Sequence, residues 1–424
     1  MSGGVRRSPA ASTVRARGRV VMILGAGPLQ RPLVAAARAR GLHVVAVDNV
    51  PGNVAHALAS ESRFVSTRDV PAVVLAARAL RPDAILTACS DVATPAVAAV
   101  VDELGIPGVP AEVAARLSAK DAFRRFQRAA GLPHPAFVSG ADANEVVDRA
   151  RALSGPVVVK PVDRSGSRGV SRLEVRAEHA LRAAIERARQ AGFDGRVCVE
   201  EVIPGREYGG DAVAAAGALR AFVTEKHVVG TVVRGHHVPP GLDADGLAAI
   251  EDAIRTHAAL LGVRDGILNF DVMLGPDGAP VVIEMSPRLG GNWIPQLVAH
   301  AWGVDLLGCA LDLALGRAPA LVAPGPARPA GSYVLGARGP GRLGRLPRFD
   351  ALRAELPDLV ALEWDVRAGD RVEPLRDSGE QVGRALFDLA GREYEEMAAR
   401  LDAALDRCVE PGAPVCRVPG GIPA

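Results

Sequence analysis

Apolar residues in this chain repeat with two different periods, and the two exchange places several times. Val20–Gly27 (VVMILGAG) reads as a buried strand with Val21–Leu24 as its apolar centre, ending in glycines. Leu33–Gly41 has helical spacing, His43–Asp48 and Ala84–Ala88 are further strands, and Ala93–Leu104 is helical again. Strand and helix in alternation predict a doubly wound parallel sheet over residues 19–112, closed by Pro107 and Pro110. A helix over Ala111–Gly131 opens a second region, 113–319, with strands at Gly155–Lys160 and Val197–Ile203. Beyond a Pro/Ala/Gly linker at Ala320–Ala330, a third region, 320–424, shows strands at Gly331–Leu335, Leu359–Val366 and Arg371–Pro374. Within it, Gln381–Cys408 contains a helix, and Asp377-Ser378-Gly379-Glu380 reads as a helix N-cap. The expected class is mixed, α/β and α+β.

The strongest local pattern lies at Gly266–Asn292. Two period-two runs, Gly266–Leu274 and Ala279–Ser286, flank Gly275-Pro276-Asp277-Gly278 and predict a β-hairpin. A two-residue Asp277-Gly278 loop sets Asp271 directly opposite Glu284; a four-residue loop shifts the register by two and keeps both on one face. Like charges facing each other across a strand pair are destabilising, so the pair needs a reason. Mg²⁺, held by one or two carboxylates plus substrate phosphates, supplies it. Arg288 follows and brings a cation suited to a phosphate or carboxylate.

Composition narrows the function classes. In 424 residues the hydrophobic content is 49%, enough for buried cores, and no run approaches the ~20 apolar residues of a membrane span. A net charge of +2 with three Trp, three Tyr and nine Phe argues against a nucleic-acid partner. Five scattered cysteines without a C-x-x-C pair suggest neither disulfides nor zinc, and a cytoplasmic setting fits. Residues 1–18 lack an acidic side chain and the apolar core of a secretory signal, and read as a disordered tail or a transit peptide. The stretch after Pro411 reads as disordered too. The apolar helices of the first region would suit a homodimer.

Three further stretches carry chemistry. Gly155–Lys160 ends on a lysine and runs into Pro161–Val170, where Arg164, Ser165, Gly166, Ser167, Arg168 and Gly169 make a loop of small residues and arginines. Backbone N–H groups can close on phosphate oxygens only where side chains are small, and a lysine adds a point charge. The Walker order is absent. Val197–Ile203 (VCVEEVI) carries Glu200 and Glu201, of which only one can face a given ligand, and Glu207 follows a turn. Thr224–Pro240 carries Lys226, Arg234 and adjacent His236 and His237, whose opposite directions speak against a zinc pair. The turn at Gly25-Ala26-Gly27 is half of a dinucleotide fingerprint, with Asp48 after it but Gln30 in place of the third glycine; a plain tight turn explains it equally.

Taken in order, VVVKPVDRSGSRGV, VEEVIPGREYGGD, NFD and IEMSPRLGG resemble the ATP-grasp superfamily of carboxylate–amine ligases over Val20–Arg317. The resemblance implies a sheet domain followed by a two-lobed ATP-grasp domain, small lobe about 120–195 and large lobe 196–319. A small β-rich C-terminal domain like that of the carboxylase-like branch would follow. It implies ATP and Mg²⁺ (or Mn²⁺) as cofactors. Lys120 and Lys160 would contact the phosphates, with Arg164–Gly169 folded over them. Glu200, Glu201 and the Val202–Ile203 backbone would hold the adenine edge, Glu207 the ribose, and Asp271 and Glu284 the metal. Arg288 would lie near the transferred phosphoryl group. Ser286 stands where the family usually has a third, asparagine ligand. Lys226, Arg234, His237, Gly291 and Asn292 would face the acceptor.

The reaction so implied joins a small carboxylic acid, plausibly an amino acid, to an amine through an acyl phosphate. Bicarbonate as the acid, as in purine-pathway or biotin carboxylases, is the alternative. A nicotinamide-dependent oxidoreductase built on Gly25 and Gly27 is the alternative of another class.

Overall fold

Val20–Leu24 consists of five apolar residues, all buried, because helices cover both faces of the sheet it centres. The structure, a computed structural model, describes residues 18–320, 326–337 and 339–408. The expected tails therefore lie outside the described residues, Gly18 apart. The first sheet runs Glu61–Arg63, His43–Val47, Val20–Leu24, Ala84–Thr87, all parallel. Its first helix, Arg31–Ala39, begins before the expected Leu33 because Pro32 sits in the first turn, where its missing N–H costs nothing.

The glycine turn of this sheet is filled from within. Gln30 donates to Ala88 O (2.7 Å) and accepts from Gly27 N (3.2 Å), while Asp48 accepts from Ala26 N (2.9 Å). The backbone donors that a dinucleotide phosphate would need are already engaged. The half-match is thus a structural turn.

A small antiparallel sheet follows, in the order Phe137–Gly140, Val197–Glu201, Pro156–Pro161, Ser171–Glu174. The helix expected over Ala111–Gly131 is two helices, Ala111–Ser118 and Lys120–Ala129. Ala119 between them is extended, and Lys120 N donates to Val162 O (3.1 Å), a long-range bond that no local signal announces.

The large sheet is antiparallel and eight-stranded: Pro280–Ser286, Gly266–Leu274, Arg206–Ala215, Ala218–Val229, Val232–Val238, Ala330–Gly336, Gln381–Asp388, Leu359–Trp364. It crosses the expected boundary near residue 320 without an edge, since Val232–Val238 pairs with Ala330–Gly336. The helix expected within Gln381–Cys408 is Tyr394–Cys408, and the strand Gln381–Asp388 precedes it.

Helices Ile294–Trp302 and Leu306–Ala314, bent by 111°, pack their apolar faces onto the first sheet. No single helix among the described residues is long and apolar enough to cross a membrane. That packing, with the bridge Ala88↔Leu289, fixes the first unit against the segment after the hairpin.

Candidate active site

The hairpin closes neither by a two-residue nor by a four-residue loop. Gly275 N donates to Ala279 O (3.0 Å), Gly278 N donates to Gly275 O (2.9 Å), and Gly278 has φ +76°, so three residues turn and the third is left-handed. That register alone would set Asp271 opposite Ile283. A β-bulge between Asp271 and Val272 absorbs the extra residue, so Val272 pairs with Val282 and Asp271 with Glu284.

The two carboxylates line a cleft of about 560 Å³ between the lobes and the first unit. Lys160, at the end of its strand, enters from the small lobe; Lys120 enters from the start of its helix. Lys120 Nζ is 3.8 Å from Glu284 and hydrogen-bonded to Arg164 O. Arg164, Ser165, Gly166 and Ser167 roof the cleft, and Glu200, Glu201, Val202, Ile203 and Glu207 line it further along. Gly169 is not in the lining; a Cβ there would come within 2.5 Å of Ala191, so it serves loop packing.

Glu200 is buried between Lys160 Nζ (2.7 Å) and Arg124 (3.1 Å). Burial alone would raise its carboxyl, but Arg124 and then Lys160 outweigh that and hold it at about 2. Glu201 points the other way and accepts from Ser154 N (2.7 Å). Arg124 was not singled out in the sequence, although it sits one helical turn after Lys120 on the same face.

A depressed carboxylate contributes stability that is present above its unfolded value of 4.5 and lost as pH falls towards 2. That difference between folded and unfolded carboxyl corresponds to about 3 kcal/mol in full. Between pH 7 and pH 3, wild type is therefore expected in urea melts to lose about 2 kcal/mol more unfolding free energy than Glu200→Gln, the remainder going only below pH 3. Parallel acid limbs for the two proteins would contradict it.

Lys226 Nζ bridges Asp271 (2.9 Å) and Glu207 (2.5 Å). Despite burial its ammonium is pushed up by the two acids, so it stays charged and committed to them. Burial raises the Asp271 carboxyl, and Lys226 only partly offsets this. A divalent cation fits two such carboxylates on adjacent strands, with phosphate oxygens and water completing its shell. No group of three or more His, Cys, Asp or Glu placed to hold a metal occurs among the described residues.

Three candidates fall outside this arrangement. Ser286 is buried and does not line the cleft, leaving Asp271 and Glu284 as the metal candidates. Arg234 is the extra residue of a second bulge, since Val228 pairs with Val233 and His227 with Gly235. The bulge turns it to the far face, onto Tyr333 Oη (3.0 Å) and Glu395 (3.1 Å). His237 shares that face and bonds to His227 (2.7 Å). Strand alternation gives the cleft to His236 instead, opposite Lys226. Thr224 Oγ1 donates to Gly209 O (2.8 Å), so it accepts from His236 Nδ1 (2.9 Å), which leaves the lone pair on Nε2. Burial, then Lys226, keeps this imidazole neutral.

The first unit supplies the remaining wall. Arg288 grips Asp91 with two bonds (2.7 and 2.9 Å) and donates to Asn269 Oδ1 (2.6 Å). Burial opposes ionisation of Asp91, but Arg288 and then Ser286 hold its carboxyl below the usual range. Asn269 in turn donates to Asp211 (3.1 Å), whose two oxygens also receive Gly290 N. Burial pushes the Asp211 carboxyl up to about 6. Gly291 and Asn292 lie beside Arg288 in the same wall.

A family model described as an ATP-grasp domain matches residues 153–296. The D-alanine–D-alanine ligase of Aromatoleum aromaticum is 32% identical over 222 residues, covering 50% of this chain and 70% of that one. The chain belongs to the ATP-grasp family. Carnosine synthase 1 of Gallus gallus is 30% identical over 345 residues, 74% of this chain. The chain spans 36% of that relative's length. The crystal structure of an L-amino acid ligase from Bacillus licheniformis shares the fold, with a TM-score of 0.76 at 20% identity over 92% of this chain and 98% of that one. ATP is accordingly the nucleotide of this ATP-grasp protein.

Proposed function

We propose that this ATP-grasp protein is an ADP-forming ligase that joins a small carboxylic acid, an amino acid, to an amine through an acyl phosphate. The observation that carries the reading is the single cleft in which the Asp271–Glu284 pair, Lys120, Lys160 and the Arg288–Asp91 couple meet. Curated relatives named for carnosine and D-alanyl-D-alanine synthesis support an amino-acid substrate.

Phosphoryl transfer asks little covalent chemistry of a protein; positioning and charge neutralisation supply the acceleration. Lys160 and Lys120 bind phosphate oxygens, and Asp271 and Glu284 would hold Mg²⁺, which would supply further neutralisation of phosphate charge. Arg288, fixed by Asp91 and Asn269, orients the carboxylate that attacks the γ-phosphoryl group. The Arg164–Gly169 loop excludes water from the acyl phosphate so formed. His236, neutral and with Nε2 as acceptor, takes the proton from the amine in place of His237, which lies on the far face. Phe64, 60% exposed beside the edge strand Glu61–Arg63, would serve a dimer through the first unit. A cytoplasmic setting accords with the free thiols of Cys89, Cys198 and Cys309.

Mg·ATP at a hundredfold excess over its Kd is expected to add about 2.7 kcal/mol of stability, a rise of several degrees in Tm, and NAD none. Stabilisation by NAD alone would overturn the assignment. ADP release across a panel of amino acids, with and without bicarbonate, then identifies the acid: dependence on bicarbonate alone would favour a carboxylase.

A further inference from the structure

Between the strands Arg371–Val372 and Gln381–Asp388, the C-terminal unit sends one tight turn to the cleft. The turn is internally braced. The Asp377 carboxylate accepts from Gly379 N (2.7 Å), and the Glu380 carboxylate accepts from Arg376 N (2.6 Å) and Asp377 N (3.1 Å). These bonds tie the turn to itself at three backbone N–H groups.

One side of the turn holds the loop over the nucleotide end of the cleft. Ser378 N donates to Gly166 O (2.9 Å), and Asp377 lies 3.5 Å from the Arg168 guanidinium. The fit is tight enough that a Cβ on Gly166 would come within 2.7 Å of Ser378 Cβ. The other side holds the loop that follows Arg288. Gln381 Nε2 donates to Asn292 Oδ1 (3.1 Å). Ser378 and Gln381 both line the cleft.

Both loops carry non-glycine residues in left-handed backbone: Ser167 at φ +64°, Asn292 at +52° and Trp293 at +62°. Such backbone persists only where its surroundings over-determine it. Ser167 is held by its hydroxyl on Thr231 O, and Asn292 by Gln381. The strained positions thus sit beside the contacts that the turn makes.

We propose that Ser378 and Gln381 are positioning residues through which closure of the Arg164–Gly169 loop over nucleotide sets the Gly290–Trp293 loop on the acceptor side. The proposal rests on the ligase reading of the cleft. Because the turn is braced, ordering one loop lowers the cost of ordering the other, and the coupling is reciprocal. The gain is chemical: an acyl phosphate forms only when the wall that receives the amine is already set.

Hydrogen exchange followed by mass spectrometry tests this without an identified acceptor. In wild type, Mg·AMPPNP is expected to slow exchange in residues 164–169, 377–381 and 290–294 alike, by at least about fivefold. In Gln381→Met, which keeps the side chain's bulk and removes its donor, residues 164–169 are expected to stay protected while 290–294 return to the unliganded rate. Equal protection of 290–294 in both proteins would mean that the nucleotide reaches that loop by another route, and the proposal falls. So does a wild type in which 164–169 respond and 290–294 do not. If Mg·AMPPNP neither binds nor protects 164–169, the nucleotide reading of the cleft fails as well, a result distinct from the other two. Circular dichroism and Tm of the variant establish that it is folded.

Discussion

Lys160→Met is expected to lower kcat for ADP release by about 10²–10³-fold while shifting Tm by only a few degrees. The side chain is 9% exposed, and its ammonium reaches the cleft from the end of a strand whose neighbours are fixed on both sides. Methionine keeps the stem and removes the charge. Glu200 would then be left with Arg124 at 3.1 Å, so the buried carboxylate keeps a cation and the fold survives. The charge on transferring phosphate oxygens has no such reserve, because Lys120 is divided between Arg164 O and Glu284. Near-normal turnover in a folded Lys160→Met would mean that phosphate lies elsewhere. Loss of folding would mean that Lys160 is chiefly a structural partner of Glu200.

Glu284→Gln is expected to raise the Mg²⁺ concentration for half-maximal ADP release at least about tenfold, with kcat reduced as well. Gln keeps the strand pairing with Asp271 and the volume, but it removes one of the two carboxylate charges that would hold the metal. Asp271→Asn should act in the same direction with a larger cost in folding. Its carboxylate also anchors the Lys226 ammonium, which would be left to Glu207 alone. A steady-state Mg²⁺ titration separates the two effects. An unchanged Mg²⁺ requirement in Glu284→Gln would remove this pair from the metal site.

Residue identity and spacing carried much of the site. Two acids opposed in a hairpin, a lysine at the end of a valine-rich strand, and small residues after it are local facts, and local facts survive folding. The hairpin is instructive because its loop differs from both expected forms and the pairing Asp271–Glu284 still holds. A left-handed Gly278 and a bulge at Asp271/Val272 cancel in register.

Bulges also explain what the sequence could not show. His236 and His237 differ only in parity, and Arg234 shares parity with His236, yet one inserted residue sends Arg234 to the opposite face. Alternation predicts direction only while pairing is unbroken. The helix break at Ala119 is of the same kind, made by a bond to Val162 from forty residues on.

By itself, then, the chain determined the candidate side chains and the elements on which most of them stand, because strand and helix periodicity are properties of neighbours in sequence. Tertiary structure alone decided the partners that arrive from afar. Asp91 from the first unit meets Arg288, Arg124 and Lys160 share Glu200, and Ser378 and Gln381 reach in from the C-terminal unit. Those meetings depend on how apolar faces pack between units, and no pattern within one segment records where another segment's charged group will come to rest.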